Sequence, residues 1–188
     1  MRALDIGLGR TLAINSGQIV FAATGASDRG GASYDGNRNQ YNWSFIHGGN
    51  LDFAGQEAIL VNNGLWAHYN TSDAVNAFRA MDGDYSEAYI GSSILNANGL
   101  TKGGAASIHL MMPNQINGPV NIDYGSLYVR HDQALGGATE VNVNDGNFIV
   151  SSGANIQGVD IHFRLPDADR IALQLEQGSV FGGNLAGC

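Results

Sequence analysis

A ten-residue pattern of apolar and polar positions occurs five times along this chain. The pattern reads apolar, any, apolar, any, any, Gly, then Gln, Asn or Ser, apolar, any, apolar, and Ser44 at a first position and Gly182 at a last position are the only breaks in its apolar frame. Two short alternating strands that meet at a glycine corner are typical of a β-solenoid, in which each copy buries its apolar row against the next. The copies are centred on Gly17, Gly49, Gly125, Gly146 and Gly178.

Two positions of the pattern are apolar in every copy, and they predict two inward rows of stacked strands. The small polar residue directly after each glycine can bond the corner backbone or form a ladder along the stack. The row three residues before the glycine is Ile14, Ile46, Ile122, Val143 and Leu175, and the row two residues after it is Ile19, Leu51, Leu127, Phe148 and Val180.

The third position after the glycine departs from the pattern expected of a free solenoid face. It should face outward, yet four of its five residues are apolar or aromatic. Contiguous exposed apolar surface usually has a cover or a partner. Either insertions of this chain cover the row, or the row is a lateral interface between subunits. Its members are Val20, Asp52, Tyr128, Ile149 and Phe181.

The spacing of the copies predicts the length of one coil. Gly125 and Gly146 are 21 residues apart, which fits three short strands and three turns, whereas intervals of 32 residues elsewhere imply a coil with an insertion. Apolar stretches at residues 58–61, 88–94 and 108–112 are candidates for the middle coils. The clean interval predicts three pairs in register, Val120 with Val141, Leu127 with Phe148, and Val129 with Val150.

Insertions are expected at about residues 23–41 and 64–87 of a single domain spanning residues 1–188, and a further insertion near residues 165–169, where Pro166 breaks a continuing strand. Within the second insertion, Ser72 can cap a helix and the apolar residues of segment 72–81 fall at helical spacing. This segment is predicted to be a short helix or lid; the alternative is an irregular loop anchored by Phe78.

Composition and charge narrow the classes of partner. The 27 glycines suit a corner-rich fold, and a net charge of -8 without a Lys or Arg cluster argues against nucleic acid. No apolar run is long enough to insert into a membrane, and the first residues lack the features of a signal peptide. Cys188 is the single cysteine, so an internal disulfide framework is excluded.

Residues 98–138 resemble one unit of the autotransporter-associated β-strand repeat. The opening matches at Gly99, Leu100, Thr101, Lys102 and Gly104, the middle at Asn117 and Gly118, and the ending at Ala134, Leu135, Gly136 and Gly137. The chain departs from the family at Met111, Met112 and Pro113, in the elaborate segment 67–87, and in lacking a following membrane barrel. The resemblance implies a right-handed parallel β-helix exported to the bacterial surface or beyond, as a stalk or an adhesive passenger.

Catalysis is the main competing hypothesis, since carboxylates on neighbouring coils can cleave polysaccharides. The candidates are Asp123 and Asp145 at adjacent corners, with Arg130, His131 and Asp132 after the first. Aspartates beside a corner glycine are, however, ordinary turn residues, which favours a structural interpretation.

Metal and cofactor sites are not predicted. Asp82, Asp84 and Glu87 could supply oxygen ligands to calcium, but their spacing does not match a known calcium loop, so a solvated loop is favoured. The five histidines show no metal-ligand spacing. His109 and His162 lie in alternating strands on the side away from the apolar row, which predicts surface positions.

The sequence therefore predicts an all-β protein, a right-handed parallel β-helix of roughly eight coils, each adding about 4.8 Å. The predicted function is that of a non-enzymatic structural or adhesive module of a bacterial cell-surface or extracellular protein, which associates with itself end to end or laterally and can form a fibre. The alternative is a β-helix that binds or cleaves a surface polysaccharide.

Overall fold

The computed structural model describes residues 2–22, 42–63, 86–164 and 172–187, and these residues form strands joined by turns, with no helix among them. The strands are Arg2–Asp5 (β1), Thr11–Ala13 (β2), Gln18–Ala22 (β3), Asn42–Asp52 (β4), Ala58–Asn63 (β5), Ser86–Leu95 (β6), Leu100–Gly103 (β7), Ser107–Leu110 (β8), Val120–Ile122 (β9), Gly125–Val129 (β10), Glu140–Val143 (β11), Gly146–Val150 (β12), Asn155–Gln157 (β13), Asp160–Phe163 (β14), Leu173–Leu175 (β15), Val180–Gly182 (β16) and Leu185–Gly187 (β17).

The described strands pair in parallel and form three sheets. The first sheet has the order β1-β4-β6-β8-β10-β12-β15, with β2 also on β4; the second has the order β17-β14-β11-β9-β7-β5-β3; the third pairs β13 with β16. From β3 to β12, successive strands alternate between the first and second sheets. The predicted all-β architecture of stacked parallel strands is confirmed. We call a first-sheet strand, with the second-sheet strand that follows it, a rung.

The register predicted from the 21-residue interval is confirmed. Leu127 pairs with Phe148 and Val129 with Val150 between β10 and β12. Val120 pairs with Val141 between β9 and β11. The middle strands predicted near residues 58–61, 88–94 and 108–112 are also present, as β5, β6 and β8.

One inner row runs through every rung of the first sheet. Its central members are fully or almost fully buried, whereas Leu4 at one edge of the sheet is 47% exposed and Leu175 at the other is 49% exposed. Like side chains therefore stack along the sheet and lose their cover only at its two edges. The row is Leu4, Ile46, Ile90, Leu110, Val129, Val150 and Leu175.

The inner row of the second sheet contains a charged side chain. Lys102 lies between Leu60 and Ile122 and is completely buried. Its Nζ donates to the carbonyl oxygens of Gly104 and Tyr124, which lie at the corners of two successive rungs. These bonds compensate part of the cost of removing the amine from water. The row is Ile19, Leu60, Lys102, Ile122, Val143 and Phe163.

The five copies of the sequence pattern do not occupy equivalent places, so the prediction of two five-membered rows is wrong. Gly125 and Gly146 both follow a second-sheet strand and begin a first-sheet strand. Gly17 instead leads from the first sheet to the second, Gly49 lies within β4 at a shift of register, and Gly178 leads to the third sheet. Alternation around a glycine specifies a corner but not which two sheets it joins.

The members of the predicted row before the glycine are accordingly dispersed. Ile122 and Val143 are buried neighbours in the second sheet, whereas Ile46 is buried in the first. Ile14 packs partly buried against the core between β2 and β3. Leu175 is half exposed because its strand is an edge of the first sheet.

Two corner glycines are required by close contacts. A Cβ at Gly125, where φ is +72°, would lie 2.5 Å from the carbonyl oxygen of Gly104. A Cβ at Gly146 would lie 2.5 Å from the carbonyl oxygen of Gly125 and 2.6 Å from Cγ2 of Ile122. Successive corners therefore pack backbone against backbone, which excludes any larger residue.

Several predictions fall on segments outside the described residues. They are the insertion at 23–41, the part of the 64–87 insertion before Ser86, the helix at 72–81, the acidic residues Asp82 and Asp84, the insertion near 165–169, His68 and Cys188. Ser86 and Glu87, predicted to end the second insertion, belong to β6.

Candidate functional site

Four rings form a ladder on the outer face of the first sheet. Phe45, Tyr89, His109 and Tyr128 pair in register on β4, β6, β8 and β10, and they alternate with the buried inner residues of the same strands. Neighbouring rings stack with centroid separations of 4.8, 4.4 and 4.2 Å and with interplanar angles of 9°, 13° and 18°. We call these four residues the aromatic ladder.

His109 lies inside the aromatic ladder rather than at the surface. It is 0% exposed and stacks between Tyr89 and Tyr128, so its predicted surface position is wrong. His162 is half-buried on the second sheet beside Asn142. The alternation correctly placed His109 on the outer face of the sheet. The rings of Tyr89 and Tyr128 cover His109 on that face.

The sequence contained a signal for the ladder that the glycine pattern did not detect. Tyr89, His109 and Tyr128 are separated by 20 and 19 residues, close to the length of one coil. Residues at such spacing come into register when the strands stack in parallel. Repeated ring-bearing residues at the coil interval therefore predict a stacked row even where no glycine marks the corner.

Arg130 and Glu87 flank His109, and the bond from Arg130 determines which ring nitrogen carries the proton. Arg130 donates from Nε to Nδ1 of His109 at 2.9 Å, so Nδ1 is an acceptor and the neutral ring carries its proton on Nε2. Nε2 faces Oε1 of Glu87 at 3.6 Å, too far for a hydrogen bond, and is buried without a hydrogen-bond partner among the described residues. The hydroxyl of Tyr89 donates to Oε2 of Glu87.

The protonation equilibria of these groups follow from burial and from their neighbours. Burial lowers the pKa of His109, and the Arg130 charge acts in the same direction while Glu87 opposes it. Burial raises the pKa of Glu87, but His109 and the Tyr89 hydroxyl outweigh burial, and the pKa lies below its usual value. Burial and then Glu87 raise the pKa of Tyr89. The arrangement therefore holds a neutral imidazole, a carboxylate and a neutral phenol.

The aromatic ladder offers few groups to a ligand. Both faces of Tyr89 and of His109 are covered by neighbouring rings, and Arg130 lies over Tyr128 with its Cζ 5.6 Å from the ring centroid. A sugar that stacks on an aromatic residue needs an open ring face. Trp43 contacts Phe45 and Tyr89 edge to face, with centroids 6.4 Å apart in both cases. The ladder is thus an array in which the ring faces mainly contact one another.

The residues predicted for catalysis are not brought together. Asp123 lies just before β10 and accepts a hydrogen bond from Asn144 at 2.7 Å, so its neighbour in the next rung is Asn144 rather than Asp145. Arg130 follows the opposite end of β10. Beyond it, Nδ1 of His131 accepts from the backbone of Gln133, and Asp132 accepts from the backbone of Asn155. Such bonds to turn backbones are structural.

The predicted outward row does not form one surface. Tyr128 and Ile149 are register neighbours in the first sheet, and Ile149 is buried. Val20 is exposed on β3 of the second sheet, and Phe181 packs against the core from the third sheet. The fifth member, Asp52 at the end of β4, accepts hydrogen bonds from the backbone of Ala54 and the side chain of Asn96. These bonds, chiefly the one from Asn96, lower the pKa of Asp52.

Among the described residues, no cluster of three or more His, Cys, Asp or Glu side chains could hold a metal ion. Of the predicted calcium residues, Glu87 is engaged with Tyr89 and His109 in the ladder. The described part of the chain also contains no helix of sufficient length and apolarity to cross a membrane.

Comparisons of this chain with protein-family models, curated proteins and solved structures found no match.

Proposed function

We propose that this chain is a right-handed parallel β-helix that serves as a non-enzymatic structural or adhesive module of a bacterial cell-surface or extracellular protein. In this proposal each rung is one coil of a closed solenoid, and no cofactor takes part. The role is to provide a stiff rod of stacked rungs. Stiffness comes from inner rows that interlock side chains along the axis and from parallel hydrogen bonds between every pair of neighbouring strands.

The observation that carries the proposal is that polar groups around the aromatic ladder are bonded to one another within the sheet. Arg130 bonds His109, and the hydroxyl of Tyr89 bonds Glu87. A catalytic acid or base must reach substrate, whereas His109 is fully buried and both faces of the Tyr89 ring are covered by neighbouring rings. Here the groups are committed to neighbours within the sheet, as expected of a stabilising array.

Two further features support the same role. The alternation of strands between two sheets and the unbroken inner row from Leu4 to Leu175 are those expected of coils that wind about one axis. The resemblance of residues 98–138 to the autotransporter-associated repeat supports a location at the bacterial surface. It also accounts for Lys102, which belongs to the motif and lies buried at two corners.

Incubation of the full chain with a panel of acidic and neutral polysaccharides tests the proposal. We expect neither new reducing ends nor unsaturated uronides. Turnover that is abolished by Asp123→Asn or Glu87→Gln, with an unchanged thermal melting curve, would overturn the proposal in favour of a polysaccharide-cleaving enzyme. Asp160→Asn is the matched control, because Asp160, the first residue of β14, likewise accepts a hydrogen bond from the asparagine of the next rung, here Asn184.

A further inference from the structure

Exposed apolar side chains concentrate on the first and last strands of the sheets. Leu4 and Leu175 end the inner row of the first sheet, and Leu185, which is 57% exposed, ends an inner row of the second sheet beside fully buried Ile161. In the interior, the same row positions are covered by the next rung. Among the described residues, no further rung lies on these side chains. Leu12, Val20 and Val180 on the other edge strands are exposed as well.

The backbone at these edges is also available for pairing. β1, β2 and β3 form one edge, and β15, β16 and β17 form the other. Edge strands present unpaired N–H and C=O groups that accept another strand. Within the part of the chain that the structure describes, apolar cover and backbone partners are thus absent at the same two places.

We propose that the edge formed by β15 and β17 pairs with the edge formed by β1 and β3 of a second copy of this chain, head to tail and in the register of the existing rungs. The inference deepens the proposed structural role and rests on its solenoid. One chain carries both complementary edges, and all their strands run in the direction that parallel pairing requires. Because the two edges differ, each added copy presents a fresh edge, and the assembly grows as an open filament.

Extension of the observed rows places complementary side chains together at the junction. Leu175 of one copy lies on Leu4 of the next, continuing the inner row of the first sheet. In the second sheet, Leu185 lies on Gly17 and Gly187 lies on Ile19, so a large side chain meets a glycine in both places. Large and small residues that alternate across an interface interdigitate without overpacking.

The same register also places two acidic residues together. Glu176 follows Leu175 and Asp5 follows Leu4, so the two acidic residues take paired positions across the junction. Like charges directly opposite each other in a sheet are destabilising. The junction is therefore restrained by repulsion at neutral pH and low salt, and added salt screens that repulsion.

Sedimentation velocity of the full chain over a wide range of concentration tests the junction. We expect the sedimentation coefficient of the unmodified protein to rise with concentration and with salt. Leu4→Asp or Leu175→Asp should each weaken association about tenfold or more, because a buried leucine is replaced by a carboxylate. Glu176→Gln should strengthen association about two- to fivefold, because it removes the like-charge contact.

A mixture of the two leucine variants gives the sharpest control. Each variant keeps one intact edge, so an equimolar mixture should form dimers that neither variant forms alone. Leu8→Asp should leave association unchanged, because Leu8 is 97% exposed in a turn outside every row. A monomer at every concentration, no complementation in the mixture, or an equal effect of Leu8→Asp would overturn the junction. These outcomes concern association alone and are distinct from the polysaccharide turnover that would overturn the proposed function.

Discussion

The Nε atom of Arg130 donates a hydrogen bond to Nδ1 of His109 across the neighbouring strands β10 and β8, with 2.9 Å between the two nitrogens. The acceptor must be unprotonated, so this bond exists only while His109 is neutral. Protonation of Nδ1 would replace the bond with a contact between two cations, the His109 imidazolium and the Arg130 guanidinium. The interaction thus couples the charge state of one buried histidine to the stability of the outer face.

Acidification should destabilise the protein through His109. Its pKa is lowered below the ordinary value of 6.5, chiefly by burial, so the unfolded chain binds this proton at higher pH than the folded chain. The stabilisation is complete above the unfolded pKa and is lost as pH falls below 6.5 through the folded pKa. Urea unfolding between about pH 6.5 and about pH 5, which lies below the range in which Lys102 titrates, should show a falling free energy of unfolding.

His109→Gln should remove that fall, because glutamine can accept from Arg130 without titrating. His47→Gln is the control, since His47 is exposed and lies 3.7 Å from the Asp5 carboxylate. An equal pH dependence in unmodified protein and His109→Gln would exclude His109 as the responsible group.

Alkaline pH should stabilise the protein through Lys102. Burial lowers the pKa of Lys102 from 10.5 to about 7. Between these values the unfolded chain holds the proton and the folded chain releases it, so stability rises with pH by at most about 1.4 kcal/mol per unit. Urea unfolding at increasing pH should show this rise in the unmodified protein and a flat profile in Lys102→Met. A rise of the same size in the unmodified protein and in Lys102→Met would show that a group other than Lys102 causes it.

Gly146→Ala should destabilise the protein by about 1–3 kcal/mol, because the added methyl group overlaps the corner of the preceding rung. Gly137→Ala is the matched control, since its nearest contact is at 3.4 Å and neither glycine has a positive φ. Thermal or urea unfolding measures the difference. Equal stability of the two variants would contradict the close packing of successive corners.

Ile122→Asp should prevent folding, because it buries a carboxylate in the inner row between Lys102 and Val143, where the cost of desolvating the charge exceeds the gain from pairing with the Lys102 amine. Asn121→Asp adds the same charge to the same strand on the half-buried outer face, and it should fold with a modest loss of stability. Circular dichroism and a melting curve distinguish the two. A cooperative transition at the unmodified temperature in Ile122→Asp would contradict its place in the inner row.

Strand register was predictable where the sequence repeats at the length of one coil. The interval from Gly125 to Gly146 contains no insertion, so alternation alone aligned Leu127 with Phe148 and Val120 with Val141. The other copies of the pattern gave wrong predictions of which strands are equivalent, because a glycine between alternating residues fits several kinds of corner. Gly49 even lies inside a continuous strand, β4.

Most of the candidate site was not predicted, because burial was assigned from the polarity of each residue rather than from its position in the strand. Leu100 and Lys102 are two residues apart in β7, and the same alternation that buried Leu100 also buried the lysine. His109 was assigned to the surface as a polar residue on an outer face. Its burial depends on rings from other strands, and only the coil interval between Tyr89 and Tyr128 indicated that contact.

Small-angle X-ray scattering of the full chain over a range of concentrations tests the central claim most directly, because it measures length and cross-section separately. A stack of rungs that grows end to end should give rods whose cross-sectional radius stays constant while their length increases with concentration. A cross-section that widens with concentration, or a particle of one size throughout, would contradict the account.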